Sequence, residues 1–458
     1  MALSSISLRG LRNLEPTIIE FDRGANYLFG PNGAGKTNLL EAIHYLAIGR
    51  SFRRCPDSEM LGFGKDVLLV SGTDASGERA EIRFDGREKR LLRNDIPVER
   101  LSEYFGWLPV VVLLLEDIEL VRGAPGMRRS FLDLAIAKAD RRVTADYADY
   151  IDGPVADRQP KSEGRSEESG ATGDRLKATG ERHSGEWSHI ALMAEYRRAV
   201  SQYNRLLERS AVSREPLAEL AAWEEEVVRT GTPVYGARIA KVGELLEGAA
   251  RHHERLTGRG AAFSYWSSIA PGGTRSEIVE GGQSPALKAP QSGTVPTISV
   301  TSPMRVADVF RQRLAETRGR ALALGHAVVG PHRDDVRIAR GDRELRKFGS
   351  VGEQRLAGIA LRLAEADMIL STGRQRPVFL LDEVASELDE QRSRLVLEMV
   401  SERGQMVYAA ARRTVRLQVR SPKDEGRIAD SVRDAELSLD HFSGKEFHVE
   451  AGKVSGVS

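Results

Sequence analysis

The chain has 458 residues, long enough for two or three domains around real cores. Its 67 Lys and Arg nearly cancel its 66 Asp and Glu, so any surface that attracts a polyanion must be local. A single cysteine, Cys55, excludes an intramolecular disulfide and points to a reducing compartment, where it serves as a small, partly buried side chain.

At the N-terminus Met1 to Arg9 lacks the apolar stretch of a signal peptide, and the strongest apolar run, Leu108 to Leu115, is too short for a membrane helix. A soluble, cytoplasmic protein with no membrane partner is expected. Ser5 to Leu8 and Thr17 to Phe21 read as strands, and Ala25 to Phe29 as a third. The third runs into Gly30-Pro31-Asn32-Gly33-Ala34-Gly35-Lys36-Thr37, which matches the P-loop pattern at every fixed position. From Asn38 onward Leu39, Leu40, Ile43 and Leu46 recur at helical spacing. Strand, glycine loop and helix N-terminus aim backbone N–H groups at phosphate oxygens. Lys36 would reach the β- and γ-phosphates of ATP, and the Thr37 hydroxyl would ligate Mg2+. An ordinary glycine turn would need neither the strand before nor the helix after.

Val67 to Gly72, Arg79 to Phe84 and Val110 to Leu115 continue the strand character. Ala124 to Asp149 turns helical, with Phe131, Leu132, Ala135 and Ile136 on one face. Residues 152–186 hold almost no large apolar side chain, so burial cannot offset the entropy of ordering them; disorder is expected. In Trp187 to Leu207, Met193, Tyr196, Val200, Tyr203 and Leu207 alternate spacings of three and four. Two more apolar sets, Leu217 to Val227 and Ile239 to Leu246, extend this to a helical hairpin, too short for a long coiled coil. Residues 271–303, rich in Gly, Ser, Pro and Thr, read as a flexible insertion.

Beyond residue 304 helices and strands alternate again, at 328–336, 356–370, 378–381, 392–400 and 406–409. The expected fold is therefore α/β, an ATPase head interrupted by a helical arm; with the motifs of its last third, quoted next, it resembles a P-loop ATPase head of ABC/SMC type with an inserted helical arm domain. Residues 1–120 form the N-terminal part of the head, 121–304 the arm with its two insertions, and 305–458 the C-terminal part.

Val378-Phe379-Leu380-Leu381-Asp382-Glu383 is a buried parallel strand ending in two acids, delivered where an α/β sheet binds ligands. Asp382 would hold Mg2+, and Glu383 would polarise or deprotonate the attacking water; with Lys36 it forms the expected catalytic set. Ser350-Val351-Gly352-Glu353-Gln354-Arg355 resembles the ABC signature, and Ser386-Glu387-Leu388-Asp389 resembles the turn after the acidic strand of ABC-type ATPases. Ser350, Gly352, Glu353 and Asp389 join Gly30 to Asn38 as expected nucleotide contacts. In that architecture one subunit supplies the P-loop and its partner the signature helix, so an ATP-driven homodimer is expected.

Most of the chain separates Lys36 from Ser350, unlike the close spacing of transporter subunits. With Leu11-Arg12-Asn13, Asn38 to Ile43, Gly49-Arg50-Ser51-Phe52-Arg53, Glu116-Asp117-Ile118, Arg128 to Asp133 and Gly330-Pro331-His332-Arg333-Asp334-Asp335, the chain resembles the RecF family of bacterial recombination mediators. The resemblance implies an ATP-dependent DNA-binding dimer that works with RecR and RecO, helps to load RecA onto single-stranded gaps bordered by duplex, and hydrolyses ATP slowly as a dissociation timer. Three features depart from the family pattern: Leu115 replaces the usual proline, Ala409-Ala410-Ala411 stand where threonines are usual, and the two polar insertions lengthen the chain. The alanines leave Arg412, Arg413 or Thr414 as substitutes for a γ-phosphate sensor. The alternatives are another SMC-like head, such as a nuclease-associated defence ATPase, and a transporter ATPase subunit.

Arg50, Arg53 and Arg54 face the nucleotide, DNA or plain solvent; Arg9 and Arg12 the adenine or duplex; Arg128 and Arg129 pair with phosphates or cap the arm helix. Without a recognition helix or zinc pattern, salt-sensitive backbone contacts to duplex and gapped DNA are expected. His332 has no metal-ligand partner at useful spacing and reads as structural, whereas His252 and His253 read as solvent-facing.

Overall fold

The computed structural model describes residues 2–98, 104, 106–139, 189–213, 219–269, 303–373, 376–384, 388–411, 414–419, 433–438 and 444–457. The insertions expected at 152–186 and 271–303 lie outside the described residues, apart from Pro303.

The first part of the chain gives β1 (Leu3–Arg9), β2 (Thr17–Glu20), β3 (Ala25–Phe29), α1 (Lys36–Ile48), β4 (Leu68–Asp74), β5 (Arg79–Phe84), β6 (Lys89–Arg93), β7 (Ile96–Val98) and β8 (Val110–Leu113). Helices α2 (Pro125–Ala139), α3 (His189–Ser213) and α4 (Leu220–Thr257) follow, then β9 (Ala262–Trp266) and α5 (Pro303–Leu324). The last part brings β10 (Asp335–Arg340), β11 (Arg343–Glu344), α6 (Val351–Ser371), β12 (Val378–Asp382), α7 (Glu390–Ser401) and β13 (Gln405–Ala410). It ends with β14 (Thr414–Val419), β15 (Arg433–Ser438), β16 (Gly444–Glu450) and β17 (Lys453–Val457).

Two sheets sandwich α1. One is antiparallel, in the order β2-β1-β4-β5-β6-β7. Its inner face follows the two-residue period of a strand, burying Ile6, Leu8, Val70 and Ile82. A register irregularity between Leu3 and Ser5 turns Leu3 inward as well. The other sheet runs β17-β16-β3-β13-β12-β8 and is parallel from β16 to β8, with β17 antiparallel at its edge. Its central strands are buried on both faces, which is why β12 reads as an unbroken apolar run. Helix α1 fills the space between the sheets, and Leu39, Leu40, Ile43 and Leu46 are fully buried. Trp107 and Tyr104 lock its end by donating to the Leu46 carbonyl at 3.2 and 2.6 Å.

The arm helices pack as α3 and α5 on α4. The separate apolar sets read between Leu220 and Leu246 belong to one 38-residue helix, about 57 Å long at 1.5 Å per residue, whereas Leu217 lies outside the described residues. It carries Pro233 internally, where the ring removes a backbone donor. Nearby, Thr230 and Thr232 hydroxyls donate to the Glu226 and Val228 carbonyls at 2.7 and 2.8 Å. Its far end lies on α6, where Gly248 brings the two backbones together: an added Cβ would sit 3.1 Å from Ala364 Cβ.

The junction of arm and head is polar and buried. Arg238 donates to both Asp133 oxygens at 2.8 and 2.7 Å and reaches Asp334, while His189 Nε2 lies 2.7 Å from Asp133. His332 is held at 2.6 Å from the Tyr196 hydroxyl, and burial lowers its pKa to about 3, so the ring is neutral. The expectation for His252 and His253 is corrected: both are buried, His252 at 2.5 Å from Asp367 and His253 against the Arg259 carbonyl. Their Arg- and Glu-rich neighbours concealed that this turn of α4 faces the head.

Candidate functional site

The glycine loop leaves β3 at the sheet's C-terminal edge. Gly30 has φ +155°, and a Cβ there would lie 1.9 Å from the Val449 carbonyl oxygen of β16. Gly35, at φ +117°, caps α1 where a Cβ would meet Leu14 at 2.7 Å. Only glycine satisfies both positions. The first turn of α1 has neither a side-chain cap nor an acid, so its N–H groups remain available to an anion. Lys36 folds back on the loop, with Nζ donating to the Gly30 and Pro31 carbonyls at 2.8 and 3.1 Å. Burial lowers its pKa, while Glu383 and Asp382 oppose that shift.

Thr37 Oγ1 donates to Asp382 Oδ2 at 2.7 Å, joining residues from α1 and β12 across the end of β13. Asp382 is raised by burial, lowered by the Thr37 hydrogen bond and raised again by Glu383 and Glu116. Glu383 adopts φ +50°, unusual for a non-glycine residue, with its N–H on the Ala409 carbonyl at 3.0 Å. That turn directs it into a cavity of about 290 Å³ which also touches Asn32, Lys36, Thr37, Arg53 and Glu116. A hydroxyl, a carboxylate and an open cavity suit a hard cation such as Mg2+ beside a phosphate chain. β13 ends in Ala409 and Ala410 and offers no polar side chain here; Arg412 and Arg413 lie outside the described residues.

The signature segment stands elsewhere on the head. Ser350 caps α6: its Oγ accepts from Glu353 N at 3.3 Å, and Glu353 accepts from Ser350 N at 3.0 Å. Glu353 is also paired with Arg340. An added Cβ on Gly352 would meet nothing within 4 Å. Phe348 and Val351 are 67% and 56% exposed, high for large apolar side chains. None of these residues lines the nucleotide cavity. Asp389 caps α7, accepting from Arg392 N at 2.9 Å, whereas Ser386 and Glu387 lie outside the described residues.

The arginines divide sharply. Arg12 donates to both oxygens of fully buried Glu41 at 2.7 and 2.9 Å, and Arg53, at the cavity rim, lies 3.3 Å from the same carboxylate. Arg12 is thus anchored on the head by Glu41, yet it stays partly exposed and lines the same surface groove as Arg9. Arg128 requires a correction: it is buried, doubly paired with Asp335 at 2.7 and 2.9 Å, and bonded to the Val121 and Gly123 carbonyls, so no surface-bound DNA can reach it. Half-buried Arg129 donates to the Asp334 carbonyl at 2.8 Å. Arg54 is exposed in a left-handed turn, and the Arg50 carbonyl lies 2.8 Å from His44 Nδ1. Arg9 is exposed and lines a groove of about 840 Å³ with Lys65 and Arg83.

Three contributors were not foreseen as site residues. Asn13 donates to the Gly33 carbonyl at 3.2 Å and accepts from Asn38 at 2.7 Å. Glu116 walls the cavity. The β16–β17 hairpin braces the loop through Gly452 N, which donates to the Ala34 carbonyl at 2.9 Å. Asn13 and Glu116 stand inside the stretches Leu11-Arg12-Asn13 and Glu116-Asp117-Ile118 that carry the family resemblance, though neither was named as a site residue; the hairpin carried no motif.

A parallel sheet ending in a P-loop and an acid pair, an antiparallel side sheet, and a signature helix tied to a helical arm define a P-loop ATPase head of the ABC/SMC type. A family model described as an AAA domain matches residues 5–140. The chain is 27% identical over 416 residues to the DNA replication and repair protein RecF of Halothermothrix orenii, covering 90% of this chain and 92% of that one. To RecF of Chlorobium luteolum it is 28% identical over 414 residues, 89% and 93% of the two chains. Two solved structures of the recombination mediator protein RecF in the RecFOR pathway, one with ATP and one with ATPrS, superpose with a TM-score of 0.71. They are 22% and 21% identical and are covered to 98%, and they share this fold. Over about nine-tenths of its length the chain is thus similar to RecF proteins.

Proposed function

We propose that this chain is an ATP-driven homodimeric DNA-binding switch of replication and recombinational repair. The observation that carries this reading is the division of the site: P-loop and acids share one cavity, while the signature residues lie exposed outside it. A triphosphate seated on Gly30 to Asn38 would be completed by Ser350, Gly352 and Glu353 of a second copy. Lys36 would exchange the Gly30 and Pro31 carbonyls for β- and γ-phosphate oxygens. Mg2+ held by Thr37 and Asp382 would offset the charge on those phosphates. Glu383 would accept the proton of the attacking water, and slow hydrolysis would then reset the dimer.

Paired heads would hold duplex or gapped DNA by backbone contacts, with Arg9 and Arg54 as surface cations, and act with RecR- and RecO-type mediators ahead of RecA loading. The RecFOR context of the structural relatives supports those partners. The test is light scattering with size exclusion at stated salt, adding ATP, magnesium and a gapped duplex in turn. A dimer that forms only with ATP and then retains DNA is the expected result. A monomer under all conditions, or DNA binding indifferent to ATP, overturns the reading.

A further inference from the structure

We infer that Arg362 is a positioning residue that fastens the cavity wall to the signature helix, so that nucleotide in one head orients the surface offered to its partner. The inference rests on the dimer reading above. The turn Leu115–Ile118 follows β8, and its Leu115 and Glu116 line the nucleotide cavity. The next residue, Asp117, points the other way and is 3% exposed. Arg362 of α6 donates to Asp117 Oδ1 through Nε at 2.9 Å and Nη2 at 2.8 Å. The second carboxylate oxygen accepts from Leu114 N at 2.9 Å, fixing the turn itself.

Behind this pair stands another. Arg362 Nη1 donates to Glu365 at 3.0 Å, and Lys138 of α2 donates to the same residue at 2.6 Å and to the Val110 carbonyl of β8 at 2.7 Å. Two acids and two bases thus balance within a buried cluster spanning turn, α6, α2 and β8. The backbone fits equally closely: a Cβ on Gly358 would lie 2.5 Å from the Asp117 carbonyl oxygen. Arg362 also lies over the Phe131 ring, 5.1 Å from its centroid. Ser350 begins the same helix about 18 Å away at 1.5 Å per residue, with no break between. A shift of Glu116 on nucleotide binding is therefore a shift of Asp117, and α6 carries it to the exposed end as a rigid rod.

The test uses the charge-balanced variant Asp117→Asn with Arg362→Met, which leaves Lys138 and Glu365 paired and avoids stranding a buried charge. Wild type should pair cooperatively with ATP, with a Hill coefficient near two for its two sites. The double variant should bind ATP as a single chain much as wild type does, yet pair about tenfold more weakly with a Hill coefficient near one. Arg362→Lys should recover part of the cooperativity. Wild-type cooperativity in a folded double variant overturns the inference; a wild type that never pairs instead overturns the dimer reading.

Hydrogen exchange gives an answer that does not depend on the double variant folding. In a Gly352→Asp background, which blocks the partner's approach while the helix has room for the side chain, ATP should slow exchange in both 114–118 and 350–355. Slowing in the first segment alone also overturns the inference.

Discussion

The nucleotide cavity and the signature end of α6 are built on opposite plans. In the cavity, polar groups satisfy one another: Lys36 sits on loop carbonyls and Thr37 on Asp382, and Lys36 is 5% exposed. At the signature, Ser350 and Glu353 spend their hydrogen bonds on capping a helix, and Phe348 and Val351 project into solvent. The first arrangement exchanges internal partners for a ligand at little reorganisation. The second has unburied apolar surface and an available backbone, the features of a contact that forms only with another body. In the proposed dimer these two regions would be the complementary halves of one site, each supplied by a different copy.

Removing Lys36 should have the largest effect. Lys36→Ala should abolish ATP binding by calorimetry, and with it pairing, while the untouched signature face still completes a wild-type partner's loaded cavity in mixed dimers. Failure of the mixed dimer to form even one competent site would break the comparison. Glu383→Gln should keep ATP binding and lower hydrolysis by about 10²–10⁴-fold, leaving a long-lived dimer. Normal turnover in that variant would remove Glu383 from its role. On the other half, Phe348→Asp with Val351→Asp should leave ATP binding to the single chain intact and weaken pairing by about 2 kcal/mol, roughly thirty-fold, in sedimentation experiments.

Acid should separate the halves without mutation. Burial raises the Asp382 pKa, so its carboxylate takes up a proton at higher pH than an ordinary aspartate, and cation binding there weakens first. Glu353 is shifted the other way, chiefly by the Ser350 backbone hydrogen bond. Its contribution to helix stability is present above the ordinary glutamate pKa and is lost only as pH falls through its lowered value. Titrating Mg-ATP affinity and α6 amide protection together from neutral pH downward should show affinity falling while protection persists. Simultaneous loss would show that the cavity and the cap are not independent.

Much of the cavity was legible in the sequence because its groups are local: eight consecutive residues make the loop, and one apolar strand delivers Asp382 and Glu383. The signature helix was legible for the same reason. What stayed hidden depends on long-range pairing. Asn13 reaches the loop only because β1 and β3 lie in facing sheets, and β16 inserts beside β3 from the far end of the chain. The roles of Arg12, open to adenine or duplex, and Arg128, open to phosphates or a helix cap, stayed undecided because a sequence does not show that Glu41 and Asp335 pair with them. Periodicity likewise found the apolar faces of α4 but not its continuity through Pro233, since local preference alone would end a helix there.

The smallest expected effect isolates the two tasks of Ser350. As the cap of α6 its hydroxyl accepts one backbone hydrogen bond, so Ser350→Ala should cost about 1 kcal/mol in denaturant unfolding. Ser350→Asp keeps a good capping acceptor at a helix N-terminus but sets it against the Glu353 carboxylate, 3.2 Å from the native hydroxyl, so stability should fall below wild type yet stay above Ser350→Ala. The same carboxylate would face the partner's triphosphate, and pairing should fall further than in Ser350→Ala despite the sturdier helix. Opposite rankings in the two measurements would separate cap from contact. If pairing instead followed stability through both variants, Ser350 would be a cap alone, and the exposed half-site would have to be sought elsewhere on the head.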